Sequence, residues 1–417
     1  MSTNGYSNSY EWKAVLLLSL GFGLLSLDRW MIAPLFPIIM EDLNLNYQDL
    51  GNITAVLALT WGVASILLGG LSDKLGRRKV LIPSIIGFSL LAGLTGLASG
   101  LTGLLLLRAL MGFFEGGYTP VSVALTQEAS KESRRGLNIG IQQCTFALIG
   151  LGLGPIIATQ LLKVVPSWHW VFVVSCIPGF IVAYLLYRVI REPEFIQKPV
   201  KQVEKRSWSE IFKYRNVILC MIGLFGLMSC FFVIGSMMPN YLTDYLNLSI
   251  SEMGFISSAV GFGGFAGALL IPFISDHVGR KPVLFVSFII AIVSLVAFTQ
   301  VSSNQFLLFS LLFVVACCTF GNIVLLAAIV SVESVPPVLA ASAAGIPIGT
   351  GEIFGGGAAP AIAGFVAQNY GIQNIFYIGI IGLVISIVIS LFLVETAPVK
   401  VAAKNEQEKV GMANSVT

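Results

Sequence analysis

The sequence predicts an all-α membrane protein of twelve transmembrane helices arranged as two related six-helix bundles. Three observations predict it. Of 417 residues, 56% are hydrophobic and only 11% charged, against about a quarter charged in an ordinary soluble domain. Apolar runs of about 20 residues, enough to cross ~30 Å of hydrocarbon, recur along the whole chain. The first half of the sequence is also echoed in the second.

Taken in order, the runs place helices near 12–38, 52–72, 79–100, 102–126, 137–163, 169–189, 217–240, 253–275, 282–300, 305–331, 338–367 and 372–394. None alternates with period two, so helices rather than barrel strands are expected. The first run is long, lacks a basic leader and contains Asp28 and Arg29, so no cleavable signal is expected. Between the sixth and seventh runs lies the one long polar stretch, 191–216, expected to be a linker. Four parts follow: a bundle over 1–190, the linker 191–216, a bundle over 217–394, and a tail over 395–417.

Charge placement sets an orientation. Of 24 Lys and Arg, 21 fall on the N-terminal flank, loops 2–3, 4–5 and 8–9, the linker and the tail. The opposite loops hold only Lys163. By the positive-inside rule both termini are expected in the cytoplasm, in a cell or inner membrane. The six cysteines lie in apolar helices without metal-ligand spacing, so neither disulfide nor metal is expected. Trp168-His169-Trp170 reads as an interfacial anchor, and the glycines of 261–267 as close helix packing rather than a nucleotide loop.

The repeat is explicit. GGLSDKLGRRKVL at 69–81 returns as PFISDHVGRKPVL at 272–284, a shift of 203. Gly51 matches Gly254, and at a shift of 205 Gly116 matches Gly321 and Pro155 matches Pro360. Half-to-half repeats of this kind belong to transporters that expose a midplane site alternately to each side. Gly69, Asp73, Gly76, Arg77 and Arg78, with Asp276, Gly279 and Arg280 in the echo, form a basic turn whose glycines permit a tight reversal. Asp73 there is placed to latch a neighbouring helix end. The G-x-L-x-D-K-x-G-R-R-K pattern resembles the loop 2–3 motif of the major facilitator superfamily. That resemblance covers nearly the whole chain and implies a gating role for these residues.

Five charges sit inside apolar helices: Asp28, Arg29, Arg108, Glu115 and Glu352. Each costs about 2.5–3.5 kcal/mol at mid-bilayer on insertion scales unless paired or wetted. Arg108 and Glu115 are two turns apart, about 10.5 Å along one helix face. The repeat puts Phe313, Phe320 and Ala147 where these helices carry Arg108, Glu115 and Glu352, and about Cys230 and Phe231 opposite Asp28 and Arg29. Charges needed by the fold would recur, so the asymmetry points to function. Arginine offers a bidentate fork for carboxylate. Without substrate, Asp28 or Glu115 is expected to neutralise Arg29 and Arg108. An arriving carboxylate then takes an arginine over, and the abandoned acid takes a proton.

Leu27-Asp28-Arg29, then Arg108 with Glu115-Gly116 and Pro120, then Arg135 and Gly140, resemble the anion:cation symporter branch of the superfamily. The resemblance implies proton-coupled import of an organic anion such as a sugar acid or aromatic acid. It implies protonation at Asp28 and Glu115, and substrate binding or gating at Arg29 and Arg108. Ser26 and Phe146 stand where that branch often has tyrosine and glutamine, which argues against a polyhydroxylated sugar acid. Glu352 is expected as a further proton site or a substrate contact, and Gln142, Gln143 and Asn322 as hydroxyl contacts or, just as readily, as polar ties between helices. Trp30, Trp61, Phe113, Phe114 and Phe146 read as packing rather than a pocket floor. GLGLGP at 150–155 keeps a proton-coupled drug efflux antiporter as the alternative, though two fixed cations would repel cationic drugs. A sensor built on this fold would need large soluble appendages, which the short tails do not supply. No nucleophile–base pair, cofactor motif or nucleic-acid signature occurs. The expected partners are therefore a small organic anion, protons and the bilayer, with the chain acting as a monomer.

Overall fold

A computed structural model describes residues 8–191, 208–336 and 339–400, apart from the side chains of Asp73, Trp208, Ser209 and Ala341. Most of the expected linker and tail, and the Asp73 side chain, therefore lie outside the described residues. Within them the chain is helical, with no strand.

Twelve helical rods follow one another. In the first half they are α1 (Asn8–Asp42), α2 (Tyr47–Leu75), α3 (Arg77–Thr95), α4 (Leu101–Ala129), α5 (Glu132–Leu161) and α6 (Trp168–Val189). In the second half they are α7 (Arg215–Tyr245), α8 (Ile250–Val278), α9 (Arg280–Thr299), α10 (Gln305–Glu333), α11 (340–370) and α12 (Ile375–Phe392). Ten helices among the described residues are long and apolar enough to cross a membrane by length and composition alone. The other two rods are α4, with Arg108 and Glu115, and α11, with Glu352 among glycines.

Proline and glycine shape the rods at the places that matter. α1 breaks at Met31, immediately after Asp28-Arg29-Trp30. Pro34 lies four residues beyond Trp30 and lacks the N–H that would bind the Trp30 carbonyl. α5 and α11 each widen into i→i+5 turns, over Phe146–Leu153 and Gly351–Ala358. These segments are related by the same 205-residue shift as Pro155 and Pro360. In each the residue before the proline reaches back five places, Gly154 N–H to Ile149 O and Ala359 N–H to Phe354 O. The α2–α3 and α8–α9 reversals rest on Gly76 and Gly279, at φ 106° and 114°, which side chains rarely adopt.

Among the described residues the two halves meet on the face away from the basic loops. Away from the basic loops, α2 packs on α11 and α5 on α8 at glycine crossings. A Cβ on Gly51 would stand 2.3 Å from Pro360 O, and one on Gly261 only 1.8 Å from Gly152 N. Tyr47 Oη donates to Asp244 at 2.9 Å, and Gln48 Nε2 to Ala361 O at 3.1 Å, both across the halves. Toward the basic loops the same helices part. A Cβ on Gly136, Gly140, Gly345 or Gly349 would meet nothing within 4 Å among the described residues. The molecule is thus closed on the face opposite the basic loops and open toward them.

Candidate functional site: a buried charge cluster between the halves

The cluster forms where α1, α2, α4, α7 and α11 converge just below the closed crossings. Asp28, Arg29, Arg108 and Glu115 are all buried, and Glu352 nearly so. Arg29 Nη2 donates to Glu352 Oε2 at 2.9 Å, an ion pair between the halves with both side chains largely buried. Its guanidinium lies over Phe232 of α7 at 5.1 Å and Trp61 of α2 at 5.8 Å, so one ring from each half covers it.

Arg108 reaches the break in α1. Its Nη1 donates to the Asp28 and Arg29 carbonyls, each at 3.2 Å, with Met111 Sδ at 3.6 Å. Its Nε and Nη2 have no hydrogen-bond partner among the described residues, and neither do Glu115 Oε1, Glu115 Oε2 or Asp28 Oδ1. Glu115 remains within electrostatic reach of Arg29, Arg108 and Glu352, and Asp28 of Glu115 and Arg108. A cavity of about 20 Å³ is lined by Arg29, Trp30, Thr54, Leu57, Arg108 and Ser236, room for about one water.

The pairing corrects the sequence expectation. Neither Asp28 nor Glu115 neutralises an arginine by direct contact. The partner of Arg29 is Glu352 from the other half, and Arg108 spends its bonds on backbone carbonyls. Two helical turns, about 10.5 Å, separate Arg108 from Glu115 along α4, too far for a hydrogen bond within one face.

Of the expected contacts, Gln142 is buried and donates to Ser122 Oγ at 2.9 Å within its own half. Gln143 is half-buried. Asn322 does not join the cluster: its amide exchanges hydrogen bonds of 2.8 and 3.0 Å with Ser287, tying α10 to α9. Of the motif arginines, Arg77 pairs with Glu128 at 2.6 Å and Arg78 donates to the Tyr187 carbonyl. Arg280 binds Ser275, Asp276 and Glu333. Glu395 accepts the Arg280 and Lys281 N–H groups. Burial opposes ionisation of the Glu395 carboxyl, yet backbone donors at Ala397, Arg280, Lys281 and Thr396 hold it below its ordinary value.

Sequence reasoning passed over Phe232, Thr54 and Ser236, and took Trp61 for packing. Only the crossing of α2 and α7 beside Arg29 brings them together. It also passed over Glu11, which is buried and receives Arg134 at 2.7 Å and Asn138 at 3.0 Å. An acid in the first turn of a helix reads as an ordinary dipole partner.

Two repeated six-helix halves, closed on one face over a buried charge cluster, define a polytopic membrane transporter. The chain belongs to the Major Facilitator Superfamily, whose family model matches residues 18–346 and, in an overlapping second match, 220–415. It is 27% identical over 402 residues to a metabolite transport protein of Haemophilus influenzae, covering 93% of this chain and 97% of the other. It is 28% identical over 360 residues to a probable 4-methylmuconolactone transporter of Cupriavidus pinatubonensis (85% and 83% covered). Over 273 residues it is 28% identical to a hexuronate transporter of Bacillus subtilis (62% and 64% covered). A multidrug resistance protein of Klebsiella pneumoniae, MdtG, is 27% identical over 310 residues (70% and 73% covered). In fold it is similar to a bacterial homologue of the human lysosomal transporter Spinster in an inward-facing, occupied conformation. There the TM-score is 0.78 at 18% identity, over 93% of this chain and 97% of the other.

Proposed function

We propose that this protein imports a small organic anion with protons by alternating access, residues 1–190 rocking against 217–394. The observation that carries the reading is the Arg29–Glu352 ion pair, buried and shared between the halves. An arginine in that position serves any carboxylate that can displace its partner. Relatives whose names specify hexuronate and 4-methylmuconolactone support an anionic cargo.

The chemistry follows from the geometry. With the basic loops cytoplasmic, the structure is the state open to the cytoplasm and the closed crossings face outside. In the opposite state an anion arrives from outside and takes Arg29. Glu352, left without its counter-charge, takes a proton. Glu115 carries a second: neither of its oxygens accepts a hydrogen bond among the described residues, and a buried carboxyl without donors costs less neutral than charged. With anion and protons aboard, the cluster is neutral enough for the halves to close around it and reopen inward. The anion leaves, Glu352 and Glu115 release their protons on the same side, Glu352 reclaims Arg29, and the empty carrier returns. Arg108 braces the α1 break, with Nε and Nη2 free to turn toward the anion, and Asp28 balances it.

Efflux of drugs against protons is the second reading, favoured by the glycine-proline bend at Gly150–Pro155 and by the MdtG relative. Two buried arginines beside the cavity disfavour a cationic cargo.

The test uses purified protein in liposomes containing a trapped pH dye. Lumen acidification on adding one class of anion supports symport. Proton movement only with lipophilic cations overturns the reading in favour of antiport.

A further inference from the structure

We infer that the anion is flat and poor in hydroxyls, an unsaturated or aromatic carboxylate bearing a second acceptor oxygen, such as a keto acid or lactone acid. This rests on the anion-transport reading and narrows it. Three features of the cluster lead there.

The first is a set of unpartnered donors around Arg29. Trp30 and Trp61 are 5% and 8% exposed, and neither indole N–H has a partner among the described residues. Arg108 adds unpartnered Nε and Nη2 groups. An indole N–H only donates. Both tryptophans adjoin Arg29, Trp30 on the cavity wall and Trp61 over the guanidinium. A carboxylate on Arg29 that also carries a carbonyl or lactone oxygen gives these donors an acceptor and brings no new donor needing one.

The second is the shape of the walls. Trp30 stacks on Phe232 at 5.5 Å and meets Phe231 edge-on at 5.8 Å, and Phe231 contacts Phe320 at 5.6 Å. Phe231 and Phe320 occupy about the repeat positions of Arg29 and Glu115. The second half thus answers the charges of the first with rings. Such walls suit a planar π-system, whose face and edge they can both meet.

The third is the fate of the amides. The amide donors that would read sugar hydroxyls are engaged within their own halves: Gln142 Nε2 on Ser122, Asn322 Nδ2 on Ser287, Asn240 Nδ2 on Asp244, which leaves only the Gln142 and Asn240 oxygens without a partner among the described residues. A polyol acid would have to share the few unpartnered acceptors, Asp28 Oδ1, the Glu115 oxygens and Gln142 Oε1, among several hydroxyl protons, and each hydroxyl left over would lose about tenfold or more in affinity. A conjugated keto or lactone acid carries none.

The experiment is isothermal titration of the full-length protein in detergent with five anions: 4-methylmuconolactone, phenylpyruvate, benzoate, a hexuronate and a hexonate. The lactone and keto acids are expected to bind at least about tenfold tighter than either sugar acid. Trp61→Phe, which keeps a ring and removes the N–H, is expected to cut the preference for the lactone acid over benzoate by about tenfold, the worth of one buried hydrogen bond. Tighter binding of hexuronate or hexonate overturns the inference while leaving anion transport standing. An unchanged lactone-to-benzoate ratio in Trp61→Phe also overturns it, assigning Trp61 to packing. If no anion binds and lipophilic cations do, the underlying reading fails, an outcome distinct from both.

Discussion

Glu352→Gln is expected to tighten anion binding, the reverse of what removing an ordinary site residue does. In this state the substrate must take Arg29 from Glu352. Charge centres about 4 Å apart attract by about 4 kcal/mol at an effective dielectric near 20. A glutamine in the same place keeps one hydrogen bond to the cation, about 2 kcal/mol. The competitor is therefore weakened by about 2 kcal/mol, or about 30-fold in the substrate dissociation constant. The assay is calorimetric titration of wild type and variant with one anion near pH 7. The same variant binds one proton fewer per anion, which titration in buffers of different ionisation enthalpy reads directly. A dissociation constant more than about tenfold weaker, with proton uptake unchanged, would refute the exchange. Glu352 would then be a substrate contact rather than a competitor, and the inter-half pair no part of the cycle.

Four other outcomes follow from the same geometry. Glu115→Gln is expected to retain anion exchange across liposomes and lose proton-driven accumulation; a variant that still concentrates substrate removes Glu115 from coupling. Arg108→Lys keeps the charge but cannot bridge the Asp28 and Arg29 carbonyls, so anion affinity should fall at least about tenfold in a protein that remains monodisperse. Unaltered affinity would take Arg108 out of the carboxylate role. Gly261→Ala places a Cβ 1.8 Å from Gly152 N, a backbone atom that cannot step aside. The crossing should then fail to close, and a cysteine at Thr159, buried against Gly254 beside the same crossing, in a background without the six native cysteines should label faster with a membrane-impermeant thiol reagent; equal labelling rates would show that this crossing does not seal the face. Glu395 has its carboxyl held below the ordinary value by backbone donors against the cost of burial. Its contribution to holding the α8–α9 turn is complete above the unfolded value of about 4.3 and fades as pH falls through the lower folded value. Exchange of the Arg280 and Lys281 amides should accelerate over that window in wild type and show no such step in Glu395→Gln.

How much of this was legible in the chain depends on whether a feature is local. The reversals at Gly76 and Gly279 could be read because only glycine settles comfortably at φ 106° and 114°. The buried charges could be found because apolar surroundings make each one costly. Their pairing could not. Arg29 meets Glu352 at a separation of 323 residues, through the crossing of two helices from opposite halves, and no spacing within either helix encodes it. Trp61 and Phe232 were hidden for the same reason: each looks like any large apolar residue until Arg29 lies between them. Asn322 could be read equally as a substrate contact or as a tie between helices, and only its bond to Ser287, 35 residues away, decides for the tie.

The repeat separates scaffold from site more sharply than burial does. The glycine reversals recur at a shift of 203, and the i→i+5 turns before Pro155 and Pro360 recur at 205. Both halves need them, because each rod must bend and cross its neighbour in the same way. The charges do not recur. Arg108, Glu115 and Asp28 belong to one half, Glu352 to the other, and the paired positions carry Phe313, Phe320, Cys230 and Ala147. A pseudo-symmetric frame with a symmetric centre would hold like charges face to face. Breaking the symmetry at the centre instead sets one guanidinium against one carboxylate across the seam between the halves. In the proposed cycle an anion competes for the contact that joins the halves, so binding and conformational change would act on the same bond.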